Sequence, residues 1–265
     1  MRTALTIAGS DSGGGAGIQA DLKTFAAHGV YGTSAITAVT AQNTIGVMAW
    51  EAVSTDLLIA QIEAVADDLA PAAVKTGMLA TAAIAEAVAA TIASLDLPNL
   101  VVDPVMIAKG GDRLLREDAV ASIKTELLKL AEVVTPNIPE AEVLAGGSIR
   151  TVEDMRAAAR RIRTLGPRVV VVKGGHLDDS TTPGLVIDVV CTPDREFDLQ
   201  GPRIETRHTH GTGCTFAAAI AAALALGQPV DEAIRMAREY LEGAIRHAPR
   251  LGAGQGPLNH FWRLY

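Results

Sequence analysis

The chain has 265 residues, of which 49% are hydrophobic, 20% charged and 3% aromatic. A chain of this length can bury most of its apolar surface without disulfides or structural metals, and its aliphatic content excludes an intrinsically disordered protein. The net charge of −7 argues against a nucleic-acid or anionic-membrane surface, which would need a basic stripe. We therefore predict neither a nucleic-acid nor a membrane partner.

The cysteines and the apolar runs indicate the cellular compartment. Two cysteines, Cys191 and Cys214, are too few for a disulfide framework and suit a reducing compartment. The apolar stretch before Gly9 is shorter than the core of a secretory signal. The longest apolar run, 216–226, is far shorter than the ~20 residues that span a bilayer. The sequence predicts a cytoplasmic globular protein.

Short β-rich runs alternate with alanine-rich helical stretches through the first two thirds of the chain. Strands are predicted at 3–8, 33–39, 73–76, 100–103, 133–135 and 168–173, and helices at 18–28, 57–69, 81–94, 117–130, 139–144 and 152–165. Runs that are apolar throughout, such as Val169–Val172, are typical of a parallel sheet buried on both faces. The pattern predicts an α/β fold, a three-layer α/β/α sandwich with a mostly parallel central sheet.

A different pattern follows residue 173. Two β-rich runs, 185–191 and 196–199, flank a turn and predict an antiparallel hairpin. Helices are then predicted at 214–226 and 230–247. The sequence contains no internal repeat, linker or shift in composition, so residues 1–265 are predicted to form a single domain.

Glycine-rich and polar segments follow six of the predicted strands. They are 9–17, 40–43, 76–78, 103–106, 135–140 and 173–176. Ligands of open parallel sheets collect outside the carboxyl ends of the strands. The clustering therefore predicts a ligand site along one edge of the sheet.

The first of these segments, GSDSGGGAG at 9–17, would let the backbone approach a ligand closely. It has neither the Lys-Ser/Thr of a Walker A loop nor the glycine spacing of a dinucleotide fingerprint. A flexible turn between a strand and a helix explains it equally well.

The turn before the helix at 214–226 is more informative. Gly211, Thr212 and Gly213 lead directly into an alanine-rich helix, so free backbone N–H groups and the positive end of the helix dipole converge there. This arrangement predicts an anion site. Cys214 lies in the first helical turn, where the dipole is expected to lower the thiol pKa.

Two alternatives remain for this turn. The glycines could make a bend and Cys214 could be a small residue chosen for packing. A metal site of His208, His210 and Cys214 is the weaker alternative, because the loop supplies no fourth ligand.

Four further polar residues follow the predicted strands. Asp103 and Glu140 could hold Mg²⁺, which takes few carboxylates and keeps waters and phosphates as its other ligands. Asn137 and Glu140 also have the spacing of a helix N-cap and its N3 partner. Lys173 could bind phosphate oxygens or could be a surface lysine at a turn. The sequence has no G-x-S-x-G, CxxC or HExxH motif, which would indicate hydrolysis, redox or zinc chemistry. The predicted anion site, the carboxylates and the lysine together favour phosphoryl transfer.

The motifs AGSDSGGGAGIQADLKTF, TAQNT, KTGML, DPVM, TPNIPEAE, VVKGGH and THGTGCT together resemble the hydroxymethylpyrimidine/phosphomethylpyrimidine kinases of thiamine biosynthesis. That family belongs to the ribokinase-like superfamily. The motifs run in family order from Ala8 to Thr215, and the segment 254–261 resembles the family's ending, so the resemblance covers almost the whole chain. The departures are slight: Ser12-Gly13 replaces Pro-Ser or Ser-Ser, and Asn259 replaces a common histidine.

The resemblance implies a reaction and its residues. ATP with Mg²⁺ would phosphorylate 4-amino-5-hydroxymethyl-2-methylpyrimidine and then its monophosphate, and the protein would be a homodimer. The implied residues are Gln42, Asp21, Met78 and Gly9 for the pyrimidine; Gly211, Thr212 and Gly213 for the transferred phosphoryl group; Cys214 in place of the aspartate base of sugar kinases; Asp103 and Glu140 for Mg²⁺; and Lys173, Asn137 and Thr212 for ATP.

Rival functions are a pyridoxine or pyridoxal kinase of the same superfamily, a sugar kinase, and a pyrimidine sensor without activity. Gln42 and Met78 favour the aminopyrimidine, although some relatives accept both rings. A sugar kinase would carry a carboxylate in place of Cys214. A sensor could lose the catalytic residues without penalty, yet they are present.

Overall fold

The computed structural model describes residues 1–106, 117–178 and 180–264. Within these ranges the strands are β1 Thr3–Ala8, β2 Tyr31–Ile36, β3 Ala38–Gln42, β4 Val47–Ala52, β5 Ala73–Thr76, β6 Leu100–Val102, β7 Val133–Val134, β8 Val169–Val172, β9 Leu185–Cys191 and β10 Glu196–Pro202. The helices are α1 Gly17–Ala27, α2 Thr55–Leu69, α3 Ala82–Ser94, α4 Glu117–Ser122, α5 Ile138–Ala145, α6 Val152–Arg163, α7 Thr212–Ala225 and α8 Val230–Arg246.

Eight of these strands form one sheet in the order β10-β9-β8-β7-β6-β5-β1-β2. The strands from β8 to β2 are parallel, whereas β9 is antiparallel to both β8 and β10. The mostly parallel sheet and the late hairpin are therefore confirmed.

Helices cover both faces of the sheet. Along β8, Val170 and Val172 join one hydrophobic core with α2, α3, α5 and α6, whereas Val169 and Val171 join a second core with α7, α8 and Phe25 of α1. The alanine-rich helix α7 is buried along nearly its whole length, because small side chains let it pass close beneath the middle of the sheet. The predicted three-layer sandwich is confirmed.

The predicted strand at 33–39 is wrong, because the chain leaves the sheet at Thr37. The Thr37 hydroxyl donates to Met78 O at 2.6 Å, and its carbonyl accepts from Val53 N. β2 ends before this residue, and β3 continues after it in a separate antiparallel pair with β4. This small sheet carries Gln42 at its end.

The predicted helix at 117–130 also differs, because the chain forms α4, a π-helical turn at Ile123–Leu127 and a 3₁₀ turn at Leu128–Leu130. Residues 107–116, which precede α4 in the sequence, lie outside the described residues.

Candidate active site

The carboxyl ends of the parallel strands converge as predicted. Asp103 N donates to Thr76 O at 3.0 Å, Thr135 N donates to Val102 O at 3.0 Å, and Lys173 N donates to Pro136 O at 2.9 Å. These backbone bonds bring the segments after β5, β6, β7 and β8 to one edge of the sheet.

The turn before α7 meets this edge. Gly211 has φ +84° and is the N-cap of α7, and no side chain of the described residues caps the helix. A Cβ at Gly211 would overlap Gly15 O, so the glycine lets the turn pack against the loop at 9–17. Thr212 N donates to Thr209 O at a long 3.3 Å. With no side-chain cap, the first turn of this 14-residue helix still has the positive dipole end and the N–H groups of an anion site.

A partly buried ion pair lies opposite Gly213. Lys173 Nζ is 3.1 Å from Asp103 Oδ1, and the Thr135 hydroxyl is 3.4 Å from the same oxygen. A Cβ at Gly213 would lie 3.3 Å from Lys173 Nζ and 3.4 Å from Asp103 Oδ2. The structure therefore brings together three of the predicted segments: the turn, the aspartate and the lysine.

Glu140 and Asn137 form the helix cap that their spacing indicated. Asn137 Oδ1 accepts from Glu140 N at 2.9 Å, and Glu140 Oε2 accepts from Asn137 N at 2.8 Å. Asn137 Oδ1 is thereby committed to the cap, so a contact with phosphate would have to come from Nδ2.

Glu140 is buried, and its charge is coupled to the ion pair. Burial raises the pKa of Glu140 to about 7, an effect that Lys173 opposes and Asp103 reinforces. The carboxylates of Asp103 and Glu140 repel each other, and Lys173 is the cation that opposes this repulsion. A second cation at this place would stabilise the ionised form of both carboxylates. The donor set fits Mg²⁺, which takes one or two carboxylates and completes its shell with water and phosphate oxygens.

Cys214 stands beside the anion site but does not have the lowered pKa that the helix dipole predicts. Burial raises the pKa of the Cys214 thiol to about 11, while Lys75 and a hydrogen bond from Gly17 N–H oppose the shift and Asp21 and Asp103 add to it. The expectation of a lowered pKa is therefore wrong, because desolvation of the thiol is the largest effect on it.

Asp21, which was expected to contact the pyrimidine, is completely buried. It and Lys75 are both 0% exposed, and Lys75 Nζ lies 2.8 Å from Asp21 Oδ2. The Thr6 hydroxyl donates to the same oxygen at 2.6 Å. Asp21 is therefore the counter-ion of a buried lysine beneath Cys214, and a direct contact with substrate is not supported.

Gly9, Met78 and Gln42 are three of the residues expected at the pyrimidine. A Cβ at Gly9 would stand 2.6 Å from Met78 Cε, so the methionine packs directly on the glycine. The Gln42 side-chain amide lies 3.4 Å from His210 Nε2, and His210 directly precedes Gly211. Of the four residues expected at the pyrimidine, Gln42 thus adjoins the anion site, and Met78 and Gly9 pack together at the start of the loop that meets the turn.

Sequence reasoning missed Asp11 and Lys75 and assigned His210 only to a weak metal alternative. Asp11 accepts hydrogen bonds from Gly13, Gly15 and Ala16 N–H groups and lies 2.8 Å from His210 Nε2. An aspartate just before several glycines is a signal of such a nest of N–H groups.

In the described part of the chain, no three His, Cys, Asp or Glu side chains form a metal-binding group.

No helix of the described ranges is both long and apolar enough to cross a membrane.

Comparison with known proteins gives a consistent family. The phosphomethylpyrimidine kinase family model matches residues 11–259. A hydroxymethylpyrimidine/phosphomethylpyrimidine kinase of Haemophilus influenzae is 49% identical over 261 residues, covering 98% of this chain and 97% of the relative. The thiamine biosynthesis bifunctional protein ThiED of Geobacter sulfurreducens is 50% identical over 256 residues, covering 97% of this chain and 51% of that protein.

Solved structures of related kinases share the fold. The ADP complex of Bacillus subtilis pyridoxal kinase matches with a TM-score of 0.91 and 40% identity over 100% of both chains. The phosphomethylpyrimidine kinase of Clostridium difficile matches with a TM-score of 0.82 and 43% identity, covering 92% of this chain and 100% of that one.

Proposed function

This chain belongs to the phosphomethylpyrimidine kinase family and has its ribokinase-like fold, and we propose that it phosphorylates 4-amino-5-hydroxymethyl-2-methylpyrimidine and then the resulting monophosphate. The reaction is transfer of the ATP γ-phosphoryl group, first to the alcohol and then to the phosphate, for thiamine biosynthesis. One observation carries the proposal: the glycine turn before α7 faces the Lys173–Asp103 pair on one side and adjoins Gln42 on the other.

Gln42, Met78 and Gly9 are the proposed pyrimidine contacts. A glutamine amide offers one acceptor and two donors, which suits an amino group beside a ring nitrogen. Met78 packed on Gly9 supplies an apolar wall that adapts to a flat ring. The ring would thereby hold its hydroxymethyl group toward the turn at 211–213.

The transferred phosphoryl group is proposed to sit at the N–H groups of Gly211, Thr212 and Gly213. Such preorganised donors stabilise charge that develops in the transition state, and phosphoryl transfer depends chiefly on this stabilisation and on positioning. Lys173, with Asn137 and Thr212, would bind ATP phosphates. Asp103 and Glu140 would hold Mg²⁺, which neutralises phosphate charge when it is bound.

Cys214 is proposed to accept the proton of the alcohol late in the transfer. Since burial raises its pKa to about 11, the thiolate is a minor form at neutral pH. Most of the rate enhancement must therefore come from the turn and from positioning, with Cys214 contributing more as pH rises.

Pyridoxal kinase is the second candidate, because a pyridoxal kinase shares the fold with a TM-score of 0.91. We propose in addition that residues 1–265 act as one domain in the cytoplasm and that two copies pair. Exposed apolar side chains on β4, Met48 at 70% and Trp50 at 48%, support the pairing. Light scattering would measure the mass of the assembly.

The decisive experiment incubates the protein with Mg·ATP and either the aminopyrimidine alcohol or pyridoxal, and follows ADP release and product mass. We expect the pyrimidine monophosphate followed by the diphosphate. Phosphorylation of pyridoxal alone would favour the second candidate. Tight binding of the pyrimidine without any product would indicate a sensor. Asp103→Asn serves as the inactive control, since it removes a charge next to Lys173.

A further inference from the structure

Asp11 determines which ring nitrogen of His210, beside the anion site, carries a hydrogen. Its carboxylate is 2% exposed, and Oδ2 accepts from Gly15 N at 3.0 Å and Ala16 N at 2.8 Å. The same oxygen lies 2.8 Å from His210 Nε2. These hydrogen bonds outweigh burial and lower the pKa of Asp11, so the carboxylate is ionised and can only accept. His210 Nε2 must therefore carry a hydrogen, because its lone pair would be repelled at this distance.

The protonated ring nitrogen in turn fixes the Gln42 amide. One end of that amide lies 3.4 Å from His210 Nε2, and the other end lies 3.3 Å from Thr40 Oγ1. The Nε2 hydrogen bonds chiefly to Asp11 and leaves Gln42 a weak second branch at 3.4 Å, which only an amide oxygen can accept. The end of the amide that faces His210 is therefore assigned as the oxygen. Thr40 is compatible with this direction: it donates to Ser10 O at 2.8 Å and can still accept from the amide nitrogen.

Close packing leaves His210 little freedom to turn. A Cβ at Gly15 would stand 2.5 Å from His210 Cδ2, so the ring lies directly on this glycine. His210 N also donates to Gly256 O at 3.1 Å. The ring thus packs on the glycine-rich loop, and the backbone that carries it is hydrogen-bonded to the C-terminal loop.

We infer that His210, held by Asp11, is a positioning residue that sets the direction of the Gln42 amide and so the order of donor and acceptor that a bound ring must present. The inference rests on the proposed role of Gln42 in binding the aminopyrimidine. An amino group beside a ring nitrogen meets a glutamine amide in one direction only, as adenine does. A ring without this pair gains nothing from the fixed direction, so His210 acts on specificity rather than on phosphoryl transfer.

The first test needs no substrate. Nitrogen-15 NMR of the histidine side chains, with His210 assigned by its substitution, reports which ring nitrogen carries hydrogen. We expect a protonated Nε2 at pH 7.5. An Nε2 without hydrogen would overturn the inference, since Gln42 would then face an acceptor.

The second test is kinetic. His210→Gln is expected to raise KM for the aminopyrimidine alcohol about tenfold, the order that one mispaired hydrogen bond costs, with KM for ATP and for pyridoxal unchanged. His247→Gln, which removes the same ring after the end of α8, serves as the matched control. Equal urea midpoints show that both variants fold. A rise in KM for ATP or a fall in kcat alone would contradict the inference.

A double-mutant cycle separates this inference from the proposed function. In a Gln42→Ala background, His210→Gln should have no further effect on KM for the pyrimidine, because it acts through the missing amide. If Gln42→Ala leaves KM unchanged, the proposed pyrimidine site fails. If Gln42→Ala raises KM and His210→Gln adds its full effect, the site stands and the positioning role is refuted.

Discussion

Replacing Gly213 by alanine should disable the site without unfolding the protein. The added Cβ would lie 3.3 Å from Lys173 Nζ and 3.4 Å from Asp103 Oδ2, which the end of a lysine side chain can accommodate. Alanine also favours a helix over glycine by about 0.5–1 kcal/mol. The methyl group, however, enters the space between the N–H groups of the turn and the ion pair. We expect the free energy of unfolding to stay within about 1 kcal/mol and kcat to fall about 10²-fold.

Gly211→Ala should behave differently, because it lowers both the free energy of unfolding and kcat. Its φ of +84° costs a side chain about 1–2 kcal/mol, and the Cβ would overlap Gly15 O, which adds about 1–3 kcal/mol of packing strain. Gly29→Ala isolates the first contribution, since Gly29 has φ +72° and no atom within 4 Å of the added Cβ. It should lose about 1–2 kcal/mol and keep its kcat.

Urea unfolding and single-turnover transfer from Mg·ATP measure the two properties in parallel. We predict three separate outcomes: Gly213→Ala loses activity alone, Gly29→Ala loses stability alone, and Gly211→Ala loses both. A Gly213→Ala variant with wild-type transfer would refute the assignment of the turn to the transferred phosphoryl group.

Three further predictions concern buried ionisable groups. Lys75→Met leaves Asp21 buried without its counter-ion and should cost about 3–5 kcal/mol in urea unfolding; wild-type stability would show that the pair is not needed. In a Cys191→Ser background, alkylation of Cys214 by iodoacetamide should accelerate up to about pH 11, since burial raises the thiol pKa to about 11; a plateau near pH 7 would mean that the helix dipole dominates. Burial lowers the pKa of His260 to about 4, so its unfolded form binds a proton first as pH falls below about 6.5. The free energy of unfolding is therefore unaffected by this group above about pH 6.5 and falls by about 3 kcal/mol between that pH and pH 4. His260→Gln should remove this part of the pH dependence of unfolding, and an unchanged dependence would refute it.

The local pattern of apolar and turn residues was enough to predict the main sheet and the helical layers that cover it. The all-valine run of β8 indicates burial on both faces, and the switch to a hairpin after residue 173 is visible in the turn residues. The strand at 33–39 misled the prediction because no breaker residue marks Thr37. What turns the chain there is the hydrogen bond from Thr37 to Met78 O, 41 residues away, which no local pattern shows.

In the candidate site, too, features set by local sequence were predicted, whereas features set by distant residues were not. Glycines and carboxylates at strand ends are visible in the sequence, and the Asn137–Glu140 cap follows from spacing alone. Asp21 could not be assigned correctly, because its partner Lys75 lies 54 residues away and buries it completely. The pKa of Cys214 was mispredicted because the dipole follows from local sequence, whereas desolvation depends on everything packed around the thiol.

The most direct measurement is a crystal structure of the protein with the aminopyrimidine alcohol, Mg·ADP and aluminium fluoride as a mimic of the migrating phosphoryl group. We expect the fluoride ligands within hydrogen-bond distance of the N–H groups at residues 211–213, with the alcohol oxygen in line and the ring on Gln42. A mimic bound away from this turn, or a ring that does not contact Gln42, would contradict the account.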